Sequence, residues 1–305
     1  MFRDMITVGY GTEYPLKGML TFPDDISAPV PAVVMVHGSG PSDMDEKVMK
    51  LTPFRDLAEG LARRGIASVR YDKRTYAHKF RLLKMKDITV REETIEDAVR
   101  AVDLLRSDPR IDRERIFILG HSMGAMLAPR IDAEGGDVKG LIMMAGTPFR
   151  LEDIVLRQLK QSGGRFPLRQ ILALERRIYS RRFDGLYSMS DREAKKKKFG
   201  GSLSLYYFKE MGQKTATDYL LESSKPVLIM QGERDFQVLA DEDFAAFCEQ
   251  LAGRENTEFR LYPGLNHIFV TAIYDDILKA SEEYGEERHI GEEVIGDIAE
   301  FIKKY

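Results

Sequence analysis

Six short, largely apolar runs separated by helix-compatible segments constrain this chain more than any other feature. They lie at 32–36, 66–71, 115–120, 140–145, 226–231 and 258–262. The first, Ala32-Val33-Val34-Met35-Val36, is apolar at successive positions. Both of its faces therefore seek burial, as in an interior parallel strand. The intervening segments carry helical periodicity. Residues 54–64 read as a helix stopped by Gly65, and in 89–107 the side chains of Ile95, Ala98, Val102 and Leu105 share one face. Thr89 with Glu92 suggests a capping box there, and Asp108-Pro109 ends the pattern. A last stripe runs through Ile290, Val294, Ile298 and Ile302. Strand–helix alternation of this kind predicts an α/β fold, a mainly parallel sheet flanked by helices on both faces, with the loops at the strands' carboxyl ends gathered on one rim. Two apolar segments at 5–10 and 19–22, separated by glycines and a proline, predict an N-terminal hairpin.

One stretch breaks the rhythm. Residues 148–224 hold helical patterns at 151–161, 168–182 and 191–211 and no strand-like run. A chain of 305 residues has room for two domains. Because the stretch lies between two expected strands, it is read as an inserted helical cap, a lid. It interrupts a single α/β domain formed by 1–147 and 225–305. Its aromatics, among them Phe166, Tyr179, Phe183, Phe199, Tyr207 and Phe208, read first as the insertion's own core and second as the wall of an acyl pocket. Residues 271–285 either extend the last helix or fold over the site.

Forty-six basic against 49 acidic residues leave a net charge of −3, which argues against a nucleic-acid partner. No stretch approaches the roughly 20 apolar residues of a membrane span. The single Cys248 excludes an internal disulfide, and Asp4 and Glu13 spoil any N-terminal signal core. The expectation is a cytoplasmic protein without a membrane partner.

The strongest local signal is Gly120-His121-Ser122-Met123-Gly124, a G-x-S-x-G turn between an apolar strand and a helix-compatible segment. Such a turn strains the serine, lifts its hydroxyl above the sheet edge and leaves the Met123 N–H free at a helix start. Pro129 removes an amide donor from that helix, which is expected to kink or end early. A serine nucleophile needs a base. His37 ends a strand and suits a backbone contact, His121 points away inside the turn, His78 sits in a basic segment and His289 in an acidic one. His267 follows the last strand, where the topology returns a loop to the serine. Asp235, in Gln231-Gly232-Glu233-Arg234-Asp235, is the candidate carboxylate, with Glu233 as runner-up. The turn His37-Gly38-Ser39-Gly40-Pro41 offers a second oxyanion donor, the Ser39 N–H, beside that of Met123.

With the Tyr71-Asp72-Lys73-Arg74 loop, these motifs resemble the α/β-hydrolase superfamily, and within it bacterial esterases related to dienelactone hydrolases and acyl-thioester hydrolases. The likeness covers 31–145 and 225–305; the insertion carries no recognisable signature. The resemblance implies an α/β-hydrolase fold, a triad of Ser122, Asp235 and His267, an oxyanion hole from Ser39 and Met123, and no metal or organic cofactor. It implies a serine carboxylesterase acting through an acyl-enzyme on small to medium acyl esters, with a small-molecule ester as partner. The strand-end Tyr71-Asp72 turn reads first as structural and second as bringing Arg74 to the pocket rim. An acyl-CoA thioesterase, a serine peptidase and a catalytically silent binding module of the same fold remain alternatives.

Overall fold

The computed structural model describes residues 1–85, 87–161, 168–200, 203–274 and 276–305. Its opening segments form the expected hairpin, β1 (Phe2–Val8) antiparallel to β2 (Leu16–Phe22). The six apolar runs all become strands. They are β3 (Val30–Val36), β4 (Ala67–Tyr71), β5 (Ile111–His121) and β6 (Gly140–Met144), then, beyond a small ribbon of β7 (Lys198–Gly200) and β8 (Leu203–Ser204), β9 (Val227–Gly232) and β10 (Thr257–Tyr262). The main sheet runs β1-β2-β4-β3-β5-β6-β9-β10. Strand β2 is antiparallel to both β1 and β4, and every other pairing is parallel. Alternation decides which helices each face receives. Val33 and Met35 pack on one side of the sheet and Val34 and Val36 on the other, all fully buried.

The helices are α1 (Pro53–Ala62), the single turns α2 (Arg74–Ala77) and α3 (Lys79–Leu82), α4 (Glu96–Ser107) and α5 (Met123–Ile131). Within the insertion come α6 (Leu151–Gln161), α7 (Leu168–Phe183), α8 (Asp191–Lys196), α9 (Leu205–Met211) and α10 (Ala216–Leu221). The chain closes with α11 (Ala245–Gln250), the short α12 (Ala280–Glu283) and α13 (Glu292–Lys304). Helices α1 and α13 cover one face through Leu57, Leu61, Ile295 and Ile298. Helices α4, α5 and α11 cover the other through Ala98, Val102, Leu127 and Phe247.

Two segments depart from the expected pattern, and a third, at Pro129, follows it. The stretch 191–211 is not one helix: α8 stops, the β7–β8 ribbon intervenes, and α9 resumes at Leu205. A ribbon this short, with Gly200 in it, leaves no alternation to detect. The helix expected from Thr89 begins as a π-helical turn at Arg91–Ile95 before α4. Glu92 still closes on Thr89, accepting from its N–H at 2.8 Å and its hydroxyl at 2.6 Å. Pro129 lies inside α5, which ends two residues later and passes into a second π turn, Asp132–Gly136.

The insertion sits between β6 and β9, which pair directly. Its buried Phe183, Leu205, Tyr207 and Phe208 belong to the same apolar cluster as Ala125 and Leu127 of α5. The segment thus shares the core of the sheet's α4–α5 face. Phe166 lies outside the described residues.

Candidate active site

Ser122 occupies a backbone conformation that L-residues avoid, φ 53° and ψ −117°. Its N–H is anchored on the Met144 carbonyl at 2.8 Å. The flanking glycines are obligatory. A Cβ on Gly120 would lie 2.2 Å from the Gly124 carbonyl oxygen, and one on Gly124 would lie 2.1 Å from that of Val36. The turn is therefore wedged between its own helix start and β3, and the strain at Ser122 is held by close packing on both sides. The Met123 N–H belongs to the first turn of α5, where a helix supplies no internal acceptor.

The loops after β9 and β10 bring Asp235 and His267 together, with Asp235 Oδ2 2.7 Å from His267 Nδ1 and both side chains buried. Asp235 Oδ1 accepts from the Gln237 and Val238 N–H groups at 2.7 and 3.0 Å, and Oδ2 also accepts from Gln231 Nε2 at 2.9 Å. A carboxylate so held fixes the proton on Nδ1 and leaves Nε2 as the basic nitrogen. The runner-up Glu233 instead accepts from the Gly264 N–H. The His267 loop is braced from behind. Asn266 Oδ1 accepts from the Ile268 and Val270 N–H groups, and Asn266 Nδ2 donates to the fully buried Glu283 of α12 at 2.6 Å. The described residues of 271–285 therefore neither extend the last helix nor lie among the cavity-lining residues; Glu283 buttresses the loop of the candidate base.

The other histidines have structural partners. His37 Nε2 meets the Asp43 carbonyl at 2.9 Å, the backbone contact expected of it. Burial holds its pKa down at about 4, so the ring is neutral at pH 7. His78 and His289 contact the Pro15 carbonyl and Asp56. His121 is richer than its sequence position suggested. Its Nδ1 forms a 3.0 Å ion pair with Glu46 Oε2, and its Nε2 lies 3.0 Å from the His267 carbonyl. The Nδ1–Glu46 contact has the distance of an ion pair without the alignment of a hydrogen bond, and the charge of the carboxylate is what favours the doubly protonated ring. Burial alone opposes that charge, but the Glu46 carboxylate outweighs it and raises the His121 pKa. Burial likewise opposes the Glu46 charge, and His121 overrides it, lowering the carboxyl below its ordinary value. Glu46 Oε1 also accepts the Gly38 N–H at 2.6 Å, so this pair ties the glycine-rich turn to the serine turn and to the His267 loop.

A cavity of about 430 Å³ opens on Ser122, with Ser39 and Met123 in its wall. Most of the remaining lining is apolar, including Leu82, Ile88, Met126, Ile154 and Val155. Tyr207 and Phe208 of the insertion line it too, while Tyr179, Phe183 and Phe199 stack among themselves and against Phe208, with ring centroids 4.6–5.5 Å apart. The aromatics thus divide between the insertion's packing and the cavity wall. Arg74 is not at the rim: it is buried against Asp97 at 2.6 and 2.8 Å, because a guanidinium this deep needs a fork-like carboxylate partner. Among the described residues no group of three or more His, Cys, Asp or Glu side chains is arranged to hold a metal ion, and no helix is long and apolar enough to cross a membrane.

Sequence reasoning missed Glu46, which lies in a loop without periodicity and gains its role only through contacts. Lys73 and Glu93 were missed in the same way, whereas Tyr207 was named among the insertion's aromatics without its contact to Glu93. Of these only Lys73 carried a signal, its place in the loop after β4.

The comparisons with known proteins bear on the family and the fold. The chain is 34% identical over 289 residues to Esterase EstD of Thermotoga maritima, covering 95% of this chain and 66% of that protein, so it spans just under two thirds of that relative's length. It superimposes on Est1E from Butyrivibrio proteoclasticus with a TM-score of 0.60 at 17% identity, covering 98% of each chain. A dienelactone hydrolase from Anabaena variabilis matches with a TM-score of 0.55 at 17% identity, over 100% of this chain and 98% of that one. The model of the alpha/beta hydrolase family matches residues 33–276, and the chain belongs to that family.

Proposed function

We propose that this chain is a serine carboxylesterase that works through an acyl-enzyme. The observation that carries the reading is the strained Ser122 at the mouth of an apolar cavity, in the turn whose His121 contacts the carbonyl of an Asp235-bound His267. In the forward step Ser122 Oγ attacks the ester carbonyl and its proton passes to His267 Nε2. Asp235 stabilises the resulting imidazolium. The N–H groups of Ser39 and Met123 receive the oxyanion. His267 then returns the proton to the leaving alkoxide as the C–O bond breaks. Water, deprotonated by the same imidazole, cleaves the acyl-serine, releases the acid and restores the hydroxyl. The chemistry uses no metal or organic cofactor. Residues 148–224 act as the lid over the acyl cavity. The name of the curated relative, an esterase, supports this substrate class over thioesters and peptides.

Ser122→Ala is expected to lower turnover of p-nitrophenyl butyrate by at least about 10⁴-fold and to abolish labelling by a fluorophosphonate probe. Its circular dichroism should match that of the unaltered protein. An alanine variant that hydrolyses the ester at the original rate would overturn the assignment.

A further inference from the structure

The loop after β4 grips the glycine-rich turn after β3 at three points. Asp72 Oδ1 accepts the Met44 N–H at 2.9 Å, the Lys73 N–H donates to the Ser42 carbonyl at 3.0 Å, and Lys73 Nζ donates to the Gly38 carbonyl at 2.8 Å. The last contact is unusual because the ammonium is almost completely buried, 2% exposed. Its charge is met by Glu93 Oε1 at 2.7 Å, and the other oxygen of Glu93 accepts from the Tyr207 hydroxyl at 2.7 Å. A buried ion pair is costly to maintain unless its partners are fully satisfied, and here they are spent on one backbone carbonyl.

That carbonyl belongs to the peptide joining Gly38 to Ser39. In a trans peptide the C=O and the following N–H point in opposite directions within one plane. A cation on the Gly38 oxygen therefore dictates where the Ser39 N–H points. The other side of Gly38 is fixed as well, since its own N–H is consumed by Glu46. Gly38 lies directly against the serine turn, so close that a Cβ there would meet Ser122 Cβ at 3.2 Å. With the Gly38 N–H occupied, the turn's free donor beside Ser122 is the N–H of Ser39, which lines the cavity.

We propose that Lys73 is a positioning residue for the oxyanion hole: by holding the Gly38 carbonyl, it keeps the Ser39 N–H aimed at the developing oxyanion. Glu93 neutralises the lysine, and Tyr207 of the insertion completes the Glu93 carboxylate. The lid helix α9 is thereby linked to the oxyanion donor through two side chains. This inference rests on the proposed ester hydrolysis, and the experiment separates the two. Wild-type protein that neither turns over p-nitrophenyl butyrate nor takes up fluorophosphonate would defeat the functional reading itself. With wild type active, the test falls on Lys73.

Lys73→Met frees the peptide to rotate. The charge-neutral double variant K73M/E93Q does so without stranding a carboxylate, and it carries the test if the single variant does not fold. The expected result is a fall in kcat of at least about tenfold with KM within twofold, because the lost donor acts on the transition state. Affinity for a trifluoromethyl ketone, whose tetrahedral hemiketal with serine places an anionic oxygen in the hole, should fall by the same factor. Lys73→Arg, which keeps a cationic donor, should recover part of both. A folded K73M/E93Q protein with wild-type kcat and undiminished trifluoromethyl ketone affinity would overturn the proposal. A kcat loss with no loss of that affinity would overturn it equally, since it would reflect a general structural defect.

Discussion

Asp235 has no acceptor capacity to spare. Two backbone N–H groups converge on Oδ1, and Gln231 Nε2 and His267 Nδ1 on Oδ2. An asparagine must place its NH₂ where one oxygen stood, facing donors, and can favour His267 only by reversing the imidazole tautomer. Asp235→Asn is therefore expected to lower kcat by about 10³–10⁴-fold with little change in KM. Steady-state kinetics on p-nitrophenyl acetate check this, and a variant with undiminished kcat would remove Asp235 from the mechanism. The serine turn and the Asp235–His267 contact could be anticipated from the sequence because each of these residues follows a strand and the chemistry proposed for them permits few residue types. The same reasoning singled out Ser39 and Met123, whose backbone amides depend on turn shape. Glu46, Lys73 and Glu93 were not legible. Their side chains act at backbone atoms and imidazoles far away in sequence, and no local spacing encodes such contacts.

The interior strands β3, β4, β6 and β9 were readable because burial on both faces writes a largely apolar run, and α1, α4 and α13 because burial on one face writes a 3.6-residue stripe. Elements of the insertion were harder. Helix α6 matches the expected 151–161, whereas the break between α8 and α9 depends on a ribbon too short to leave a period. Helix α6 also bears on specificity, since it presents Leu151, Ile154 and Val155 to the cavity. A tryptophan at 155 occupies part of the space an acyl chain would fill. Each methylene shut out forfeits about 0.8 kcal/mol of burial, so excluding two costs roughly tenfold. Val155→Trp is expected to lower kcat/KM for p-nitrophenyl octanoate by about that factor while leaving the acetate ester within twofold. A chain-length series on both proteins measures it. An unchanged profile would place the acyl chain elsewhere.

At the scale of the whole molecule, two buried imidazoles set opposite pH limits on stability. His37 is neutral in the fold, with burial holding its pKa at about 4, below the ordinary 6.5. Between those values the unfolded chain binds more protons than the folded one, so stability falls as acid is added across that window. His121 has the opposite sign. Burial opposes its charge but Glu46 prevails, and its pKa is raised. Its contribution is complete below about pH 6.5 and is lost as pH rises through the higher folded value. Glu46, held below its ordinary value by His121, adds stability above about pH 4.3 that is lost at lower pH. The contributions of these three groups sum to a maximum near pH 6.5, limited by His37 and Glu46 on the acid side and by His121 on the alkaline side. Glu46→Gln removes the partner that raises His121. The variant should be less stable than wild type, with the largest gap in thermal midpoint near pH 5.5 and a gap that narrows as the pH rises above 6.5 toward the raised value of wild-type His121. Asp235, His267 and His37 are common to both proteins, but Glu46 also raises His37 and holds the Gly38 N–H, so the change of the gap above pH 6.5, not its size, reports the Glu46–His121 interaction. Melting curves from pH 5 to 9 decide it. A gap of constant size across that range would mean that His121 is neutral throughout and that Glu46 serves only as the acceptor for the Gly38 N–H.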